Sequence, residues 1–168
     1  ELLLMFHKIC DGVAYAHQRG VIHRDLKPAN IIVQRESSRS DGDSASGVPD
    51  VKILDFGLAR ITDADLAQVS VDTDAGRIQG SVPYMSPEQV RGNPDEIDAR
   101  TDVYSLGVIL YELLTRRLPY ELTNRSLNEA ARIICEQPPA ELGTLTGGSK
   151  RLDRDLRTIV FKALEKEP

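Results

Sequence analysis

The order of segments over residues 2–54 constrains this chain most: one helical stretch, one polar run, then two short β-branched runs separated by a long hydrophilic stretch. Phe6, Ile9, Cys10, Val13 and Ala16 recur at helical spacing, and Gly20 supplies the left-handed position that often follows a helix, so residues 2–19 are predicted to be helical. Residues 31–33 and 51–54 have the length and branching of strands. Residues 34–50, QRESSRSDGDSASGVPD, carry five serines, two glycines and a proline with almost nothing apolar, which makes them a solvated loop insertion joining the two strands.

Downstream, residues 55–98 show little periodicity, many acids, and breaks at Pro83 and Pro87, so a long ordered loop rather than helix or sheet is expected there. Val103, Leu106, Gly107, Leu110, Leu113 and Leu114 form an apolar stripe, widened by Val108 and Ile109, behind Thr101 as a cap; this helix should be buried on most sides. Ser126 and Glu129 have capping-box spacing ahead of Ala130, Ile133 and Ile134. A last helix is expected over residues 152–164, with Pro168 ending it. The fold class is therefore mainly α with a small β-hairpin. With 168 residues one core is expected, and 40% hydrophobic with 28% charged residues disfavours wholesale disorder.

A net charge of −5 argues against a nucleic-acid partner. No apolar run is long enough to span a bilayer, and no signal peptide precedes one. Cys10 and Cys135 lack metal or disulfide spacing, which fits a reducing, cytoplasmic setting. The opening residue, Glu1 rather than Met, predicts that the sequence is part of something longer.

The loop after the first helix reads HRDLKPAN over residues 23–30, and the second strand runs into Asp55-Phe56-Gly57, so two acid-bearing loops should lie side by side at the ends of one strand pair. In these motifs the chain resembles the eukaryotic-type Ser/Thr protein kinases. GSVPYMSPE, residues 80–88, looks like the end of that family's activation segment, here residues 55–88, and DVYSLGVILYELLT, residues 102–115, looks like the helix that follows it. The resemblance covers residues 2–168 and implies a kinase-like C-terminal lobe.

What the resemblance implies about chemistry is specific. Moving a γ-phosphoryl group to a hydroxyl needs in-line positioning and neutralised phosphate charge. Asp25 would accept the proton of the protein substrate's hydroxyl, and Lys27 would set a positive charge beside the transferring phosphate and favour Ser/Thr acceptors. Asn30 and Asp55 offer hard oxygen ligands for the Mg²⁺ that accompanies ATP. Ile32 would form the apolar floor under adenine, or serve simply as a buried strand residue. Asp102 would hold the catalytic loop by backbone hydrogen bonds, and His23 would pack near Phe56 rather than act as a base. His7 and His17 read as structural, Cys10 as a small core residue, and Cys135 has no visible catalytic partner. Arg24 would pair with a phosphorylated activation segment in which Ser70 and Thr73 are candidate acceptors, with Arg60 and Arg77 as further partners. A solubilising role for the acids of that segment competes evenly with regulation.

Ser81 stands where the family often has Thr, and Ser86-Pro87-Glu88 replaces Ala-Pro-Glu. No GxGxxG, strand lysine or partner glutamate precedes the motifs. The N-terminal lobe is therefore expected to lie outside these residues and to be a partner of this one. The arginine that usually pairs with the glutamate matching Glu88 also has no counterpart before Pro168, so that acid is expected to lack its partner. Two functions are compatible with these features: the substrate-binding lobe of an ATP-dependent Ser/Thr protein kinase, inactive alone, or a truncated kinase-like module that only binds partners.

Overall fold

The computed structural model describes residues 1–34, 49–56, 80–142 and 153–167. Five α-helices and one antiparallel strand pair are placed among them: α1 (Leu2–His17), β1 (Ile31–Gln34), β2 (Asp50–Ile53), α2 (Pro87–Arg91), α3 (Ala99–Thr115), α4 (Leu127–Glu136) and α5 (Arg154–Ala163).

The first helix ends two residues earlier than its periodicity suggests. Arg19 and Gly20 close it with bonds to the Ala16 and His17 carbonyls, and Gly20 takes φ +72°, the left-handed turn that glycine permits. Pairing of Ile31 with Ile53 and Gln34 with Asp50 makes residues 34 and 50 the ends of strands rather than of the loop. The side chains alternate as a half-buried sheet requires: Ile31, Val51 and Ile53 pack on Ile9, Val13, Leu26, Leu106 and Ile109, and Ile32 is left 40% exposed. A buried role for Ile32 is thereby excluded.

The fold centres on α3, eleven of whose residues are buried. One side of it meets the α1 and strand cluster, and the other meets Ala130, Ile133 and Ile134 of α4 and Val160 of α5. Gly107 lets α5 come close, because a Cβ at that position would lie 2.8 Å from the Cβ of Ala163. The cap of α3 differs from the expected one. Asp98 accepts from the Arg100 N–H, while Thr101 lies buried inside the first turn and donates to Glu88 at 2.7 Å. The buried Glu88 carboxylate thus accepts from a threonine hydroxyl, a contact separate from the arginine pairing expected of the family.

The expected loop over residues 55–98 is also corrected. Within its described part lie two short 3₁₀ turns, Val82–Tyr84 and Pro94–Glu96, and the helix α2, which a complete capping box between Ser86 and Gln89 initiates with Pro87 in its first turn. Five residues are too few to show a period, which is why only the cap and the proline mark this helix. The capping box at Ser126 and Glu129 is present as expected.

Lys166, just beyond α5, ties α4 to the loop that follows α3. Its ammonium donates to the Tyr120 hydroxyl at 2.6 Å and to the Ile134 carbonyl at 2.5 Å, and it sits 4.1 Å from the Tyr120 ring centre. Burial lowers its pKa from 10.5 to about 8. Folding thus weakens its hold on a proton, so between pH 8 and 10.5 the unfolded chain carries more protons and stability rises with pH. The same burial pushes the Tyr120 phenol up to about 12, leaving it protonated through that window. In the complete protein, the unfolding free energy of wild type relative to Lys166→Met should therefore rise by about 1 kcal/mol from pH 7 to 9, allowing for partial exposure. A difference independent of pH, measured by denaturant titration, would contradict this.

Candidate active site

Leu26, buried against α1 and α3, pins the centre of the HRDLKPAN loop, and the residues on either side of it turn outward. Asn30, 7% exposed, donates its amide to the Asp25 backbone carbonyl at 2.8 Å and to Asp25 Oδ2 at 3.1 Å. Lys27 Nζ lies 2.8 Å from the same Asp25 oxygen and donates to Ser81 Oγ at 2.7 Å. Asp25, Lys27 and Asn30 thus form one connected cluster, joined by Ser81 to the segment entering α2.

Asp55 reaches this end of the molecule through the strand pair. The Leu54 N–H donates to the Asn30 carbonyl at 2.9 Å, and the Leu54 carbonyl accepts from His23 Nε2 at 2.7 Å. Asp55 follows directly, exposed, at φ +59°. His23 is buried with its ring centre 4.8 Å from that of Phe56. Its Nδ1 accepts from the Asp25 N–H at 3.3 Å, so the ring carries its proton on Nε2 and serves as a brace.

Below the loop stands Asp102, fully buried on the first turn of α3. It accepts from the backbone N–H groups of His23 and Arg24, each at 2.8 Å, and from His17 Nε2 at 2.7 Å. Three donors compensate the desolvation of its charge. Arg24 takes φ +67°, a left-handed conformation costing about 1–2 kcal/mol in a residue with a Cβ. Its Nε is buried without a hydrogen-bond partner among the described residues.

Two contributors escaped the sequence reading. His17, taken only as a structural histidine, is a ligand of the Asp102 carboxylate. Gln89 donates to the Arg24 carbonyl at 2.5 Å. Nothing local signals either contact, since the partners are 85 and 65 residues apart. His7 pairs with Asp11 on an exposed face of α1, and the Cys135 thiol lies 3.7 Å from the Pro87 carbonyl. Ser70, Thr73, Arg60 and Arg77 lie outside the described residues. So do Gly57 and most of residues 55–88 named as an activation segment, as well as the interior of the insertion at 34–50.

The donor set suits a magnesium ion. Asn30 spends its amide nitrogen on Asp25, which leaves its oxygen, and Asp55 adds an exposed carboxylate; both are the hard ligands Mg²⁺ prefers.

A polar loop braced by a buried aspartate, a strand pair running into Asp55, and a lysine bridging that loop to Ser81 ahead of α2 are the arrangement in which the motifs of the chain meet. The chain belongs to the protein kinase domain family, whose sequence profile matches residues 1–168. It is 39% identical over 164 residues to the serine/threonine-protein kinase Pkn1 of Myxococcus xanthus, covering 96% of this chain and 20% of that protein. Against pkn3 of the same organism it is 39% identical over 161 residues, covering 96% and 27%. Against the serine/threonine-protein kinase PknB of Mycobacterium tuberculosis (strain ATCC 25618 / H37Rv) the identity is 38% over 159 residues, covering 95% and 22%. The chain thus spans only a fifth to about a quarter of the length of these curated relatives.

Proposed function

We propose that this chain is the substrate-binding, C-terminal lobe of a Ser/Thr protein kinase that transfers the γ-phosphoryl group of ATP to protein hydroxyls. Lys27 carries this reading, since its ammonium touches both Asp25 Oδ2 and Ser81 Oγ and so joins a general base to the segment where an acceptor peptide would lie. Asp25 takes the proton of the acceptor hydroxyl and aims its oxygen in line. Lys27 balances charge beside the transferring group. Asn30 and Asp55 hold Mg²⁺, which when bound neutralises phosphate charge. Ile32, exposed and apolar on β1, is suited to one face of the adenine.

The rest of the kinase domain docks on the apolar rim of this lobe. Val33 on β1 and Leu54 just after β2 stand exposed, and a mainly apolar cavity of about 340 Å³ opens between α1 and β2, where Tyr15, Val51, Ile53 and Phe56 line it together with Lys8 and Arg19. The occupant assigned to it is the N-terminal lobe, in keeping with the much greater length of the relatives. Among the described residues no helix is long and apolar enough to cross a membrane; a cytoplasmic setting, where ATP and Mg²⁺ are at hand, is the one that suits the proposed reaction. Arg24, whose buried Nε has no hydrogen-bond partner among the described residues, is suited to receive a phosphate on Ser70 or Thr73.

The complete protein, given Mg²⁺ and γ-labelled ATP, should phosphorylate serine- and threonine-containing peptides and not tyrosine-only ones. Label confined to tyrosine would overturn the acceptor assignment. Absence of transfer from a folded, ATP-binding protein would favour the module that only binds partners.

A further inference from the structure

Gln89 occupies the third position of α2 and is 1% exposed. An amide is tolerated at such depth only when both of its ends are satisfied. Its Oε1 accepts from the Ser86 N–H at 3.0 Å, completing the capping box, and its Nε2 donates to the Arg24 carbonyl at 2.5 Å. The reversed amide would satisfy neither partner, so these contacts fix its orientation.

Arg24 is the residue at φ +67° immediately before Asp25. Its N–H is held from the α3 side by Asp102, and its carbonyl is held from the α2 side by Gln89. That carbonyl belongs to the same peptide unit as the Asp25 nitrogen, so rotation about the Arg24 Cα–C bond swings the Asp25 carboxylate. One clamp fixes where this peptide starts; Gln89 on its carbonyl at 2.5 Å, with the longer His23 Nδ1 contact to its N–H at 3.3 Å, fixes how it is turned.

We propose that Gln89 is a positioning residue for Asp25: its amide locks the Arg24–Asp25 peptide and makes the orientation of the general base depend on the seating of the Ser86–Arg91 segment. Any event that lifts α2 releases the Arg24 carbonyl and lets the base rotate away. The inference rests on the role of Asp25 proposed above.

Two substitutions separate this role from helix capping. Gln89→Glu keeps the acceptor that caps Ser86 but sets a carboxylate oxygen against the Arg24 carbonyl. Ser86→Ala weakens the cap and leaves the donor in place. In the complete kinase with Mg²⁺ and ATP, Gln89→Glu should lower kcat about 10–100-fold with the KM for ATP nearly unchanged. It should also speed amide hydrogen exchange across residues 21–30. Ser86→Ala should lower Tm while keeping kcat close to wild type. Gln89→Met, which lacks both polar ends and adds no charge, should repeat the kcat loss and serves if the glutamate variant does not fold. Wild-type kcat in Gln89→Glu or Gln89→Met, or kcat losses in all variants that simply follow Tm, would overturn the assignment. Asp25→Asn is run alongside. If it is inactive while the Gln89 variants are normal, only the role of Gln89 falls; if it matches wild type, the base assignment falls and takes this inference with it.

Discussion

Replacing Asp25 with Asn in the complete kinase should lower kcat about 10²–10⁴-fold, the range that a positioned general base contributes. The substitution is nearly isosteric. An amide oxygen at position 25 can still accept from Asn30 Nδ2, and the backbone carbonyl that Asn30 also holds is unaffected. The loop should therefore keep its shape, and KM for ATP should stay near wild type because the proposed magnesium ligands, Asn30 and Asp55, are untouched. What disappears is the ability to take a proton, together with the charge that pairs with Lys27 at 2.8 Å. Steady-state kinetics with a serine peptide check this, and unchanged kcat would remove Asp25 as the base.

Asp102→Ala should have the largest effect on stability. The carboxylate is fully buried and takes three hydrogen bonds, two of them from the backbone of the loop that carries Asp25. Its removal strands two buried N–H groups and the His17 ring, at a cost of about 3–5 kcal/mol. For a domain of this size that corresponds to a fall in Tm of about 10 °C. Arg24 would also lose the bond that holds its amide in the left-handed conformation, so transfer activity should fall even well below the new Tm. Asp102→Asn should give a smaller drop, since an amide oxygen can replace one acceptor atom but its NH₂ group would confront an N–H donor. Thermal unfolding followed alongside kcat distinguishes these outcomes; an Asp102→Ala protein with wild-type Tm would show that the three bonds contribute nothing net.

The candidate site was legible in sequence to the extent that its contacts are short-range. Asp25, Lys27 and Asn30 bond to one another within five residues, so their spacing in HRDLKPAN already places them together. Asp55 was legible for a different reason: two β-branched runs of similar length must pair, and pairing brings the residues after the second run beside those before the first. The braces were not legible. Asp102 meets His23 across 79 residues, Gln89 meets Arg24 across 65, and Ser81 meets Lys27 across 54. Period and propensity report only on neighbours a few positions apart. Asp102, like the roles of Asp25, Lys27, Asn30 and Asp55, entered through the family resemblance, and its three donors became apparent only with the chain folded.

Errors in secondary structure have the same origin. The segment over residues 55–98 looked like loop because α2 is one turn and a half long and offers no stripe, although Ser86, Pro87 and Gln89 spell its start as clearly as Ser126 and Glu129 spell that of α4. Thr101 was misread as a cap because the apolar stripe begins just after it. The helix begins earlier, at an exposed Asp98 that no periodicity marks.

By itself, the order of residues determined the helical stripes, the strand pair, the membership of the family and the chemical identity of the four groups proposed to handle phosphate. Local contacts and the alternation of apolar with polar positions suffice for the stripes and the strands, while the family and the four groups rest on the resemblance carried by residues 23–30 and 55–57. Only the tertiary structure decided that a buried aspartate on α3 and a buried glutamine on α2 grip opposite ends of one strained residue. A single carboxylate or amide can satisfy donors and acceptors from distant segments once packing has excluded water between them, and that satisfaction is a property of three-dimensional proximity rather than of sequence spacing.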